Sequence, residues 1–154
     1  MAEPTVREAT EADLPRVLEL LDQLPLSPDA EHEDLRSPVA EAYRAAYREI
    51  AASSKHRLLV VEVHGRIAGT AALIIIPNLS HRGRPWAVVE NVVVDEAERG
   101  KRYGELLMQR ALAIAKEAGC YKLTLTSSKA RADAHRFYQR LGFRATHEGF
   151  RVDL

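Results

Sequence analysis

A chain of 154 residues, 46% apolar and 29% charged, fits one domain, 1–154, with room for a substantial core; it is not the composition of a disordered polymer. Acids and bases balance at 22 each, so the net charge of zero argues against general binding to nucleic acid or to a membrane surface. The lone cysteine, Cys120, cannot close an internal disulfide, no apolar run reaches transmembrane length, and MAEPTVREAT lacks signal-peptide character, so a cytoplasmic protein is expected.

Thr5–Ala9 reads as a short strand. A helix follows with Leu14, Val17, Leu18, Leu21 and Leu24 on one stripe, and Thr10 with Asp13 forms a capping box. Pro25–Arg36 is an acidic, proline-punctuated connection. Ser37-Pro38 opens a second helix whose stripe is Val39, Tyr43, Ala46, Tyr47 and Ile50. Arg57–Val63 and Arg66–Ile76 are strands joined by a tight turn at His64-Gly65. Pro77–Pro85 is a loop, and Trp86–Val94 is a valine-rich strand.

A third helix runs from about Tyr103 to Ala118 and is stopped by Gly119. Tyr121–Thr126 is a strand, a last helix reaches Leu141 before Gly142, and Phe143–Val152 reads as a weak hairpin. The order β α α β β β α β α β(β) gives an α/β domain with a mixed, mostly antiparallel sheet.

Two features carry chemistry. The valine strand reads as buried on both faces, yet Glu90 and Asn91 interrupt it, and an unpaired buried carboxylate is costly. In a regular strand those two side chains face opposite ways, so both serve one site only if a bulge intervenes. The following turn, Arg99-Gly100-Lys101-Arg102-Tyr103-Gly104, opens the third helix. Its glycines, basic side chains and helix-start N–H groups suit a pyrophosphate; the alternative is a connecting loop with solvated charges. Neither a P-loop nor the dinucleotide fingerprint occurs, and the scattered histidines give no metal spacing.

These pieces, in this order, resemble the GNAT superfamily of acyl-CoA-dependent N-acyltransferases. The family's signature is Gln/Arg-x-x-Gly-x-Gly/Ala after a strand; Arg99 and Gly104 match its ends, while Arg102 stands where the middle glycine belongs. Ala134, Phe137, Tyr138, Gly142 and Phe143 match a second family feature, and Gly119–Leu125 resembles the strand between them.

The resemblance implies a sheet with flanking helices and a splay between the fourth and fifth strands. It implies acetyl-CoA as cosubstrate, no metal, and direct attack by an amine in a ternary complex. The backbone of Arg99, Gly100, Lys101, Arg102, Tyr103 and Gly104 would hold the pyrophosphate, with Val92 and Val94 binding the pantetheine amides through main-chain atoms. If the Arg102 position requires positive φ, the arginine is strained there; if it requires only close approach, the side chain swings outward.

Glu90 is the expected base, against the alternative of a carboxylate paired with an arginine in a stabilising network. Tyr138 is the expected acid for the departing thiolate, against a packed aromatic. Arg131 stands where the family often has a CoA-contacting asparagine. Asn91 and His81 are weaker candidates at the acceptor, and Cys120 reads as a small buried apolar residue. In the family the segment between the first two helices and the loop before the valine strand wall the acceptor pocket. Here the first is acidic (Asp29, Glu31, Glu33, Asp34) and the second basic (His81, Arg82, Arg84), which suits a zwitterionic small molecule. Homodimers are common in the family. The competing reading is a CoA-binding sensor or regulator with little transferase activity.

Overall fold

The computed structural model describes residues 2–24 and 40–154. The acidic connection and the Ser37-Pro38 cap fall outside the described residues. The chain divides into two compact units, Met1–Thr124 and Leu125–Leu154, each described here by itself.

The first unit is built on a five-stranded sheet in the order β1-β2-β3-β4-β5. Strands β1 (Thr5–Glu8), β2 (His56–Val63), β3 (Arg66–Ile76) and β4 (Trp86–Val94) pair antiparallel in sequence order, and β5 (Leu123–Thr124) pairs parallel with β4. His64 and Gly65 both take positive φ, 51° and 74°, the pair of left-handed residues that a two-residue hairpin turn demands. Helices α1 (Leu14–Leu21), α2 (Glu41–Ala52) and α4 (Tyr103–Glu117) flank the sheet, and a single turn, α3 (Ser80–Gly83), sits in the loop before β4.

Alternation along the strands assigns the two faces. Val60, Thr70 and Val93 share one face through the pairs Val60–Thr70 and Thr70–Val93, and Val17 and Leu20 of α1 pack there with Val60, Ile67 and Val93. Leu59, Val61, Leu73 and Val89 point the other way. Helix α4, which lies against β2, β3 and β4, buries Leu107, Met108, Ala111 and Ala115 on that side. Leu73 and Leu107 are fully shielded, and such a side chain contributes roughly 2–3 kcal/mol on burial. The start of α1 is tied to the sheet by Arg7, whose guanidinium meets Asp13 at 2.7 Å and Glu62 at 2.7 Å. Asp13 also accepts the Thr10 N–H at 2.7 Å, and chiefly the Arg7 bond holds its carboxyl down at about 2.

The fifth strand is shorter than the expected Tyr121–Thr126: its ladder has two pairs, Ala87–Leu123 and Val88–Thr124. In the second unit, α5 (Ala132–Arg140) is closed by a Phe143 N–H bond to the Tyr138 carbonyl at 3.1 Å. The expected hairpin over Phe143–Val152 does not form. Phe150 and Val152 are 94% and 82% exposed, so the tail's apolar side chains cover no neighbouring surface, and an isolated two-stranded piece is at best marginal.

Candidate active site

The valine strand is not regular. Ala72 pairs with Glu90 but Thr70 pairs with Val93, so β4 carries one extra residue where β3 carries none. The bulge falls at Asn91, whose φ of 53° is left-handed. Asparagine is among the few non-glycine residues that adopt this region at low cost.

That one residue changes which way the strand's groups point. The Ala87 N–H donates to Lys122 O beside β5 at 3.0 Å, whereas the Asp95 N–H donates to Ala68 O on the β3 side at 2.8 Å. In an unbroken strand both odd-numbered residues would face the same edge. The bulge reverses the alternation and turns the main-chain groups of Val92 and Val94 toward the β5 edge, where the recorded pairing with β5 has ended at Val88. The Val94 carbonyl accepts from Arg99 Nε at 3.4 Å.

Glu90 and Asn91 are both exposed, correcting the expectation of a strand buried along both faces. Glu90 shares the α1 face through its pairing with Ala72. Among the described residues no ion pair or hydrogen bond engages its carboxylate, which leaves the arginine-network alternative without support.

Beyond β4, Asp95 caps a short turn, Glu96–Glu98, by accepting the Ala97 N–H at 3.1 Å. This bond, and then the Arg16 guanidinium, lower the carboxyl's pKa. The next residues form the turn expected to cradle a pyrophosphate. Gly100 has φ 82°, and a Cβ placed there would meet nothing within 4 Å, so the turn is open at its glycine. Arg102 takes φ 67° and ψ 17° at the cap of α4. Arg102 therefore takes the first of the two alternatives, the strained left-handed backbone. Its guanidinium donates to both Glu105 oxygens at 2.8 and 2.9 Å with the side chain 79% exposed. Lys101 likewise meets Glu98 at 2.6 Å. The first intrahelical bond is Leu106 N–H to Arg102 O at 3.2 Å, so by helix geometry the N–H groups before it lack an acceptor within the helix. The residues present fit a diphosphate: backbone donors, a helix start and a glycine with open space.

In the β3–β4 loop, His81 and Arg82 are left-handed with φ 51° and 62°. His81 stacks on Tyr121 with ring centroids 3.8 Å apart and meets Ser80 Oγ at 2.9 Å. Arg84 reaches the Gly119 and Cys120 carbonyls at 3.4 and 3.5 Å, while Arg82 has no such partner among the described residues. Cys120 is half-buried, and burial pushes its thiol up.

In the second unit, Tyr138 is half-buried on α5, edge-to-face with Phe137 at 5.2 Å and Phe143 at 5.9 Å. Arg131 caps α5, and the His135 N–H donates to its carbonyl at 3.1 Å. The acidic residues Asp29, Glu31, Glu33 and Asp34 lie outside the described residues. Among those described, no group of three or more His, Cys, Asp or Glu is arranged to hold a metal, and no helix is long and apolar enough to cross a membrane.

Sequence reasoning missed Arg16 and Gln23, which join Asp95 from α1 and the turn after it. The Asp95-Glu96-Ala97-Glu98 run is a readable cap signal, but nothing local identifies partners more than 70 residues away.

Residues 19–143 match the acetyltransferase (GNAT) family. A glucosamine 6-phosphate N-acetyltransferase of Trypanosoma brucei brucei is 34% identical over 149 residues, covering 97% of this chain and 95% of its own. An aminoalkylphosphonate N-acetyltransferase of Salmonella typhimurium is 32% identical over 88 residues, 56% of each chain. A Bacillus halodurans protein described as a transcriptional regulator superposes with a TM-score of 0.91 at 35% identity, covering 99% of this chain and 100% of that one.

Proposed function

Because this chain belongs to the GNAT acetyltransferase family, and is an N-acetyltransferase that uses acetyl-CoA to acetylate a small-molecule amine, we propose that its acceptor is a primary amine carrying a phosphate or phosphonate. Two relatives named for such acceptors, and the exposed Arg82 in the loop before β4, support this reading.

In the proposed mechanism the donor supplies a thioester carbonyl. Glu90 takes a proton from the acceptor's ammonium, directly or through water, because most alkyl amines are protonated at neutral pH. The freed amine forms the C–N bond as the C–S bond breaks, Tyr138 gives its proton to the departing sulfur, and the second proton on the nitrogen passes back to the Tyr138 oxygen, directly or through water. Main-chain groups of Val92 and Val94 hold the pantetheine amides. The backbone of Arg99, Gly100, Lys101, Arg102, Tyr103 and Gly104 holds the pyrophosphate, with Arg131 as a further contact. Asn91 and His81 border the acceptor. The single observation that carries this mechanism is the bulge at Asn91: just after Glu90, which is exposed on the α1 face, it presents the Val92 and Val94 backbone at the β5 edge, on the strand that leads into the cradle.

We take the two compact units as one catalytic domain, since the family match over 19–143 crosses their boundary after Thr124. A cytoplasmic enzyme acting on a dissolved substrate, and not on nucleic acid or a membrane, accords with zero net charge and a single cysteine.

The test is thiol release from acetyl-CoA with glucosamine 6-phosphate, glucosamine, 2-aminoethylphosphonate and ethylamine. The phosphorus-bearing amines are expected to exceed their plain counterparts at least about tenfold in kcat/KM, the worth of one charge-assisted contact. Equal rates with and without the phosphoryl group refute the acceptor class. The relative described as a transcriptional regulator favours a second reading, a CoA-binding regulator, and CoA binding without thiol release on any amine would establish it.

A further inference from the structure

The N–H groups of three consecutive residues just before the cradle are all anchored. Gln23 Oε1 accepts the Glu96 N–H at 2.9 Å, the Asp95 carboxylate accepts the Ala97 N–H at 3.1 Å, and the Asp95 carbonyl accepts the Glu98 N–H at 2.8 Å. Asp95 itself is 6% exposed. Its carboxylate is paired with Arg16, which also donates from Nε to the Ile67 carbonyl at 3.1 Å, and Gln23 Nε2 lies 3.5 Å from the second oxygen.

A partly buried ion pair is a poor device for stability, because desolvation offsets much of the Coulomb attraction. What such a pair supplies is geometry. Here it joins α1, the start of β3 and the exit of β4 at the point where the chain leaves the sheet to form the phosphate turn. A turn that binds through main-chain donors has no side chains with which to correct a misplaced backbone, so the position of its first residue decides whether the N–H groups converge.

We propose that Asp95, clamped by Arg16 and Gln23, is a positioning residue for coenzyme binding: it fixes the start of the Arg99–Gly104 turn without touching the coenzyme. This rests on the acetyl-CoA reading above.

Two variants of the full chain test it, Asp95→Asn and the gentler Gln23→Ala at a half-buried site outside the helices. CoA affinity is measured by titration calorimetry, and kcat and KM by thiol release with glucosamine 6-phosphate. Loss of one or two anchoring bonds is expected to weaken CoA binding about five- to tenfold, with kcat at saturating acetyl-CoA within about twofold of wild type. A folded variant with wild-type CoA affinity overturns the proposal, as does a fall in kcat with affinity intact. If Asp95→Asn does not fold, Gln23→Ala decides alone. Failure of the wild-type chain to bind CoA sinks the acetyl-CoA reading instead, so the two failures are told apart.

Discussion

Replacing Arg102 by glycine restores the family's residue at the one motif position where this chain departs from it. Arg102 sits at φ 67° and ψ 17°, inside the left-handed region. An L-residue there pays about 1–2 kcal/mol that glycine does not. Glycine in turn loses about 0.4–1 kcal/mol through a more flexible unfolded chain. The difference favours glycine by roughly 0.5–1 kcal/mol, and at 2–4 °C per kcal/mol for a chain of this length Tm should rise by about 1–4 °C. The pair with Glu105 is open to solvent on the arginine side and too weak to reverse the sign.

Arg102→Ala is the necessary control, since it keeps the left-handed strain and removes the ion pair. The expected order of stability is glycine, then arginine, then alanine, measured by thermal and urea denaturation. Alanine outranking glycine by about 1 kcal/mol, the order found inside right-handed helices, would falsify the left-handed assignment. With the guanidinium turned onto Glu105, CoA affinity in Arg102→Gly should stay within about threefold of wild type or tighten; a tenfold loss, the scale of one charge-assisted hydrogen bond, would show the side chain gripping phosphate.

Three other outcomes are expected. Tyr138→Phe should lower kcat about 100-fold with CoA affinity within twofold, as removal of a general acid does, and an unchanged rate removes that role. Gly69→Ala places a Cβ 2.9 Å from the Val93 carbonyl oxygen and 3.2 Å from Val61 Cγ1 and Val94 Cγ2. It should destabilise the fold by about 1–3 kcal/mol as β4 is pushed aside, and a Tm equal to wild type would mean that the strands lie farther apart. Asp13 has its carboxyl lowered from 3.8 to about 2, so its stabilisation is complete above the ordinary value and lost as pH falls through the lower one. That shift corresponds to roughly 2 kcal/mol, and the partial exposure of Arg7 reduces it to about 1 kcal/mol. The stability gap between wild type and Asp13→Asn in urea should therefore close between about pH 4 and pH 2; a constant gap refutes the pairing.

Much of this protein is legible in its residues because local signals and tertiary packing agree. The β2–β3 hairpin follows from His64-Gly65, α1 from its leucine stripe and the Thr10–Asp13 box, and the turn at Gly100 before α4 from its glycine. What resisted reading is what depends on registers between distant segments. Glu90-Asn91 raised a bulge only as the condition for both to serve one site; that an extra residue does fall at Asn91 depends on how Thr70 and Ala72 pair across the sheet. The Arg16–Asp95 pair spans 79 positions, beyond any periodicity or capping rule. The tail after Phe143 alternates weakly enough to suggest strands, yet a pattern alone cannot supply the neighbouring surface that a strand must cover.

The bulge at Asn91 also bears on how this strand can vary. Because the groups of Val92 and Val94 that the bulge turns toward the β5 edge are peptide atoms, exchanging one β-branched side chain for another there should matter little. Losing or gaining a single residue between Glu90 and Val94 would instead rotate those peptides onto the opposite edge of the strand. Tolerance in this segment should thus depend less on which residues are present than on how many there are.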